Sequence, residues 1–332
     1  MNIIEKNVER VIEKLDNVPD ITDKKVLITG GTGLIGLHLS WFFDKMGADV
    51  EVIFYNDIPE YFEPYLPCVD MIQFDLAKDQ MNNDGTKFDY IVHSAGYSQP
   101  SKFLADPNST IAINTTATMN LFKFLNPSGK FLFISSDAVY TGATEQIYTE
   151  NMSGFVDLND PRISYIESKR MGEVITKINK GIIARLSYVY GPGGKIGDTR
   201  VVNEFVQKAI VDKKLKISDG RAMRSWLPVT NATEMLLNVL FHGRNREVYN
   251  VANVEENTIS ILDLAKEICR LTDVPLEEKN QNSIVDKSAP QTMNLSISKY
   301  EKEFGICEFE KLSDVLKDVV DWYREISKKG NN

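Results

Sequence analysis

Val26-Leu27-Ile28-Thr29-Gly30-Gly31-Thr32-Gly33-Leu34-Ile35-Gly36 decides the fold. An apolar run passes straight into a glycine loop and then into an apolar helical pattern. The stretch reads as a buried strand, a tight turn and a helix start. Gly30 serves the turn, Gly33 lets backbone approach a phosphate, and Gly36 lets the helix pack closely on the strand. The helix start offers unpaired N–H groups and a positive dipole end to an anion, the chemistry of a dinucleotide pyrophosphate site. The spacing is G-x-x-G-x-x-G, one residue wider than the commonest dinucleotide fingerprint. Such a loop also occurs as a plain strand-to-helix turn, so the rest of the chain has to decide.

Outward from that loop the pattern alternates. Apolar runs at 26–29, 50–55, 69–74, 90–93, 131–135 and 182–186 are separated by amphipathic stretches such as 35–46 and 110–125. Alternation of this kind predicts an α/β fold, a doubly wound parallel sheet covered on both faces, with ligands at the carboxyl ends of the strands. Before it, Ile4, Val8, Val11 and Leu15 fall at helical spacing, with Pro19 as the expected stop. After Gly191-Pro192-Gly193-Gly194 the alternation weakens. Helices are expected at 200–212, 231–242 and 260–272, with short strands near 215–218 and 248–251. The expected division is a helical extension (1–22), a nucleotide-binding domain (23–191) and a smaller mixed α/β region, mainly for substrate (192–328). The last five residues, Lys-Lys-Gly-Asn-Asn, are expected to fray.

The 332 residues carry a net charge of -9, with 42% hydrophobic and 26% charged side chains. That balance predicts a soluble protein without a nucleic-acid or membrane partner. Cys68, Cys269 and Cys307 have no metal-ligand spacing, and no metal is expected. Without a signal-peptide pattern or a membrane-length apolar run, the expected location is the cytoplasm.

Tyr165 and Lys169 form Tyr-x-x-x-Lys, which puts both side chains on one helix face. Free tyrosine titrates near about 10, and a neighbouring ammonium favours its phenolate. Ser136, just after Phe131-Leu132-Phe133-Ile134, can hydrogen-bond the same substrate oxygen. Together they suit proton removal from a hydroxyl while hydride leaves the same carbon. The spacing alone is common on solvated helix faces; the glycine loop and the serine give it meaning.

These motifs, in this order, resemble the extended short-chain dehydrogenase/reductase family of nucleotide-sugar epimerases, dehydratases and decarboxylases, from about residue 24 to 325. Asp75-Leu76 resembles the pair flanking adenine, and His93-Ser94-Ala95-Gly96 the loop under the cofactor. Asn114 followed by Thr118 resembles the family's helix asparagine. Ser135-Ser136-Asp137-Ala138-Val139-Tyr140 is similar to the catalytic strand, and Arg185-Leu186-Ser187-Tyr188-Val189-Tyr190-Gly191-Pro192 to the strand and turn near the nicotinamide. Pro161-Arg162, Lys169-Arg170 and Arg200-Val201-Val202-Asn203 resemble the UDP-glucuronate decarboxylase branch. The resemblance implies a cofactor site of Gly30, Thr32, Gly33, Leu34, Ile35, Gly36, Asp75, Leu76, Ser94, Ala95, Gly96, Asn114, Ser135, Tyr188 and Val189, with Tyr165 and Lys169 shared with catalysis. It implies a nucleotide-diphosphate sugar held by Ser136, Arg162, Val201, Asn203 and Arg224, and a homodimer built on helices near 110–125 and 164–180. Tyr97 and Ser98 either line the sugar pocket or pack the loop.

The departures shape the expected chemistry. Dehydratases of this family carry Thr-Asp-Glu, and decarboxylases a glutamate before Val-Tyr-Gly. Here Asp137 and then Ala138 follow the serine, so a carboxylate for C5 is missing. Asp137 reads equally as a general acid or as a hydrogen-bond acceptor. A 4-epimerase needs only oxidation at C4, rotation of the ketosugar and hydride return, and it is the expected activity, in surface-polysaccharide or related sugar synthesis. A decarboxylase, a 4-ketosugar reductase and a non-catalytic cofactor-binding sensor or scaffold are the rivals. Asp57, after the second strand, is read as the ribose-binding acid that favours NAD, or as a turn residue before Ile58-Pro59. An arginine that relatives place after Ala289-Pro290 is replaced by Gln291-Thr292-Met293-Asn294-Leu295. His93 and Trp226 read as packed residues, and His38 and His242 as ordinary helix positions.

Overall fold

Strand β1 (Lys25–Thr29) forms the centre of a seven-stranded sheet because Val26, Leu27 and Ile28 are all fully buried, toward alternating faces. The structure, a computed structural model, describes residues 1–79, 81, 85–218, 220–254, 257–278 and 292–330. The other strands of the large sheet, numbered in chain order, are β2 (Asp49–Phe54), β3 (Asp70–Gln73), β4 (Phe88–His93), β5 (Leu125–Ser136), β6 (Ile182–Leu186) and β7 (Val248–Val251). They are all parallel, in the order β3-β2-β1-β4-β5-β6-β7. The order reverses between β1 and β4, where doubly wound sheets open a ligand crevice at their carboxyl ends.

Both faces are covered, as the alternation predicts. On one face Val26 and Ile28 pack with Phe42 and Phe43 of α2 (Leu34–Lys45), and with Leu236 and Phe241 of a helix at Val229–His242. On the other, Leu27 packs with Leu121, Phe124, Phe131 and Phe133. The amino-terminal helix α1 (Ile3–Lys14) starts at a capping box of Asn2 and Glu5 and buries Ile4, Val8 and Val11. It lies against α2 and the Val229–His242 helix. It ends at Lys14, well before Pro19, where Leu15 turns to extended backbone.

The stretch 110–125 is not one helix. It runs as Pro107–Ala112, a π-helical segment Ile113–Ala117, Thr118–Leu121 and a 3₁₀ turn to Phe124. The run at 248–251 does not stay in the carboxyl-terminal region. As β7 it pairs with β6, so the chain returns past residue 192 to complete the large sheet. A second core joins Val202 and Val206 of Val201–Asp212, Leu264 and Ile268 of Ile261–Thr272, and Val319 and Trp322 of Leu312–Gly330. A small four-stranded sheet orders Thr258–Ser260, Met223–Ser225, Thr292–Leu295 and Ile147–Tyr148. Of the end expected to fray, Lys328, Lys329 and Gly330 are helical, with Lys329 donating to the Tyr65 hydroxyl at 2.9 Å, and Asn331 and Asn332 lie outside the described residues. No helix among the described residues is long and apolar enough to cross a membrane.

Candidate active site

The glycine loop leaves β1 with Gly30 at φ +72°. A Cβ on Gly30 would lie 2.8 Å from Ala95 Cα, and one on Gly36 would lie 2.3 Å from the Gly30 carbonyl oxygen. Gly31, given no role in the sequence reading, is equally constrained, since a Cβ there would meet Val52 Cγ1 at 2.3 Å. Gly33 is the N-cap of α2 and offers no side-chain cap, so the first N–H groups of that helix face outward unspent. Thr32 is buried beside them.

The β4 end lies against this loop. Ser94 Oγ donates to the Thr29 carbonyl at 2.6 Å, and Ala95 N–H donates to Thr29 Oγ1 at 3.2 Å. His93 is fully buried between Thr29 Oγ1 (2.7 Å) and the Ile113 carbonyl (3.0 Å). Burial lowers its pKa to about 4, so it is a neutral, packed residue. His38 is also fully buried and lowered to about 4, which makes it a core residue rather than an ordinary helix position.

Helix α3 (Ile163–Ile178) carries Tyr165 and Lys169 inward. Both are buried, at 9% and 6% exposure. Burial pushes the Tyr165 phenol up to about 12, although a hydrogen bond with Ser136 pulls it down. The expected lowering by Lys169 is not found here. The Lys169 ammonium runs past its helical neighbour, donates to the Ile134 carbonyl at 2.8 Å and lies 4.8 Å from the centre of the Phe133 ring. Burial lowers Lys169 itself to about 7, against the attraction of Glu173. Tyr165 is also covered by Phe103, whose ring stacks on it at 4.7 Å and 13°. Phe103 had no signal in the sequence, because it is brought there by a short helix, Pro100–Ala105.

Ser136 and Asp137 end β5. Asp137 accepts from Ser136 Oγ at 3.0 Å and from Ser187 Oγ at 3.2 Å. Its pKa is raised by burial, while Ser136, Ser187 and the Arg224 charge act against that rise. The acceptor role expected for Asp137 is therefore realised in this state. Arg224 is buried, with its guanidinium 5.1 Å from the Tyr188 ring centre, so it is no surface arginine. Tyr188 has φ +25°, a sparsely populated conformation for a tyrosine at a site edge. Trp226 is 5% exposed and packs edge-on to Tyr188, as read from the sequence.

The remaining expected residues spread around this centre. Asn114 sits in the π-helical segment, donates to Thr110 O and Ser168 Oγ at 3.0 Å each, and leaves its buried Oδ1 without a partner. Ser135 Oγ is spent on Glu173 at 2.6 Å, within a network that includes the Arg185–Glu173 pair. Asp75 pairs with Lys78 at 3.3 Å, and exposed Asp57 accepts from Gln73 at 2.9 Å. Leu76 is half-buried against the core beneath β4. Tyr97 feels the charges of Asp106 and Asp75 and lies toward the β2–β3 end, and Ser98 is exposed. Arg162 pairs with Asp160 at 2.9 Å. Asn203 donates to Asp198 at 2.8 Å, with Val201 half-buried two residues before it. Val189 is half-buried in a short strand with Tyr190. Gln291 lies outside the described residues, and Ala289 and Pro290 with it.

A dinucleotide fits this crevice on the evidence of the chain itself. The loop between Gly30 and Ala95 has no room for side chains, the first turn of α2 lacks a cap, and Asn114 turns an unpaired buried oxygen toward Gly96 and Lys169.

Among curated proteins, UDP-glucuronic acid decarboxylase 4 of Arabidopsis thaliana is 30% identical over 254 residues, 73% of this chain and 56% of that protein. The matched region thus spans just over half the length of that relative. UDP-N-acetyl-alpha-D-glucosaminuronate decarboxylase of Bacillus cytotoxicus is 26% identical over 91% of this chain and 98% of its own length. Among solved structures, the epimerase Mth375 of Methanothermobacter thermautotrophicus superposes with a TM-score of 0.77 at 19% identity, covering 99% of this chain and 98% of that one, which shows the shared fold. The sequence model of the NAD dependent epimerase/dehydratase family matches residues 26–252, and with two thirds of its length so matched the chain belongs to that family.

Proposed function

We propose that this protein oxidises and re-reduces C4 of a nucleotide-diphosphate sugar and acts as a 4-epimerase. The observation that carries this reading is the grouping of Ser136, Tyr165 and Lys169 with Ala138, not a carboxylate, at the end of β5. When bound, NAD supplies the hydride acceptor and a positive ring charge. Ser136 Oγ holds the sugar O4 in the hydrogen-bonding reach of Tyr165. The Tyr165 oxygen takes the O4 proton on oxidation and returns it on reduction. Lys169 and the unpaired Asn114 oxygen lie beside Gly96, where they would hold the cofactor's ribose and give that proton a polar route away from the phenol. Phe103 excludes water from the other face of Tyr165. Arg224 brings a guanidinium suited to a diphosphate or sugar oxygen; Val201 and Asn203 stand on the helix beyond it.

The reverse hydride step needs the ketosugar to present its other face, and no carboxylate is needed at C5. Decarboxylation is the second reading, supported by the names of the relatives. Loss of carbon dioxide from a 4-keto uronic acid does not strictly need a base, so the missing carboxylate slows it rather than forbids it.

The test is incubation with UDP-, GDP-, CDP- and dTDP-sugars, read by mass spectrometry and proton NMR. A C4 epimer of unchanged mass is the expected product. A pentose with release of carbon dioxide would replace this reading by the decarboxylase. Tyr165→Phe should cut turnover by roughly 10²–10⁴-fold while NAD still binds; an unchanged rate would overturn the assignment of Tyr165, and a function that survives without turnover would favour a sensor.

Exposed apolar side chains on the helices beside β5 support a homodimer. Ile111, Met119, Met171, Val174 and Ile178 are 43%, 49%, 51%, 47% and 70% exposed. A second copy covering them would join two helices from each subunit.

A further inference from the structure

Lys195 is a half-buried cation without an acid. It follows Gly194 in the loop after Tyr190, and the chain on either side is fixed. Trp322 Nε1 donates to the Gly194 carbonyl at 2.7 Å, and the Tyr323 hydroxyl donates to the Lys195 carbonyl at 3.4 Å. The ammonium lies 5.1 Å from the Phe62 ring centre and donates to Thr32 Oγ1 at 3.3 Å. No carboxylate among the described residues pairs with it. Burial first, and then the positive charge of Lys102, lower its pKa to about 8. A desolvated ammonium beside a second cation is costly unless an anion completes the site.

Thr32 belongs to the glycine loop, and its neighbours are the uncapped N–H groups that open α2. The segment carrying Lys195 is also tied to the segment carrying Lys102. Gln99 Nε2 donates to Asp198 Oδ1 at 3.2 Å, and Thr199 Oγ1 donates to Gln99 Oε1 at 3.1 Å. These bonds hold the segment that carries Lys102 against the one that carries Lys195.

We propose that Lys195 is a pyrophosphate-binding residue for the dinucleotide, closing the glycine loop from the carboxyl-terminal region while the start of α2 holds the same phosphates from below. This rests on NAD as the cofactor, and not on which sugar is turned over. The backbone N–H groups supply geometry, and Lys195 supplies the charge that the loop itself lacks. Lys102 adds to the local positive field from the facing segment.

The experiment measures NAD and UDP binding by titration calorimetry for the wild type, Lys195→Met and Lys195→Arg, at low and at moderate salt, with melting temperature as the check on folding. Loss of one charge-assisted contact predicts NAD binding about 10- to 100-fold weaker in Lys195→Met, with a shallower salt dependence. Lys195→Arg should recover most of the loss, adenosine binding should change little, and UDP binding should stay as in the wild type. NAD affinity within twofold of wild type in a folded Lys195→Met protein overturns the proposal. So does weakening of UDP binding instead of NAD binding, which would assign the charge to the sugar nucleotide. A wild type that binds no NAD at all removes the cofactor assignment itself, and the proposal with it.

Discussion

Burial sets the protonation of Tyr165 and Lys169, the proposed catalytic pair, more strongly than their mutual attraction does. Tyr165 at about 12 is a neutral phenol at ordinary pH, ready to donate, and it becomes a base only when positive charge reaches the site. Lys169 shifts the opposite way, down to about 7, for the same reason, since its charge too is disfavoured in these apolar surroundings. That has a consequence for folding. Lysine in the unfolded chain titrates at 10.5, so between about 7 and 10.5 the unfolded chain holds a proton that the folded protein has released. Stability from this group therefore rises with pH across that window, and below about pH 7 the folded protein carries the full cost of the buried charge. Lys169→Met removes that cost. Its melting temperature relative to wild type should be most favourable near pH 6 and should lose that advantage steadily by about pH 9. A difference independent of pH would show that the folded lysine keeps an ordinary pKa.

At the level of elements, the short helix Pro100–Ala105 controls the phenol. Pro100 at its first turn and Asp106 just beyond it fix its limits, while Gln99 and Ser101 bind it to Asp198 and Thr199. Its one deeply buried side chain, Phe103, is spent on Tyr165. Phe103→Ala should admit water to the phenol and lower its pKa. The limb of kcat/KM that rises as the base loses its proton should then move to lower pH; a packing defect alone would lower the melting temperature and leave the limb in place. This helix also marks where the sequence stops being legible. The strands of the large sheet up to β6 and the glycine loop follow from local periodicity and from Gly30 and Gly36, whose neighbours lie close in sequence or in the adjacent strand. Ser136, Tyr165 and Lys169 were legible because helical spacing and a strand end place them. The joining of β7 to β6, the π-helical segment that turns Asn114 inward, Phe103 over Tyr165 and Lys195 over Thr32 depend on contacts between distant segments. No periodicity within a window of residues encodes them.

For the whole molecule, the large sheet has one face closed by α1, α2 and the Val229–His242 helix, and the opposite layer left apolar on its outside. Met171, Val174 and Ile178 are spaced by three and four residues, so they form one stripe on the outer side of α3, and Ile111 and Met119 continue it on the neighbouring helices. Tyr165 and Lys169 point inward from the same α3, so the stripe and the proposed catalytic face are opposite sides of one element. Stable pairs of chains bury about 800 Å² on each partner, an area that two adjoining helices can supply. A glutamate at the middle of a two-fold helix bundle meets its own copy across the axis, and desolvation adds to the repulsion. Val174→Glu should therefore sediment as a monomer where the wild type sediments as a dimer, and the variant should still bind NAD because the crevice at the strand ends is untouched. A wild type that is monomeric at micromolar concentration, or a Val174→Glu protein that stays dimeric, would move the interface elsewhere. In that case the exposed stripe would need another partner to explain it.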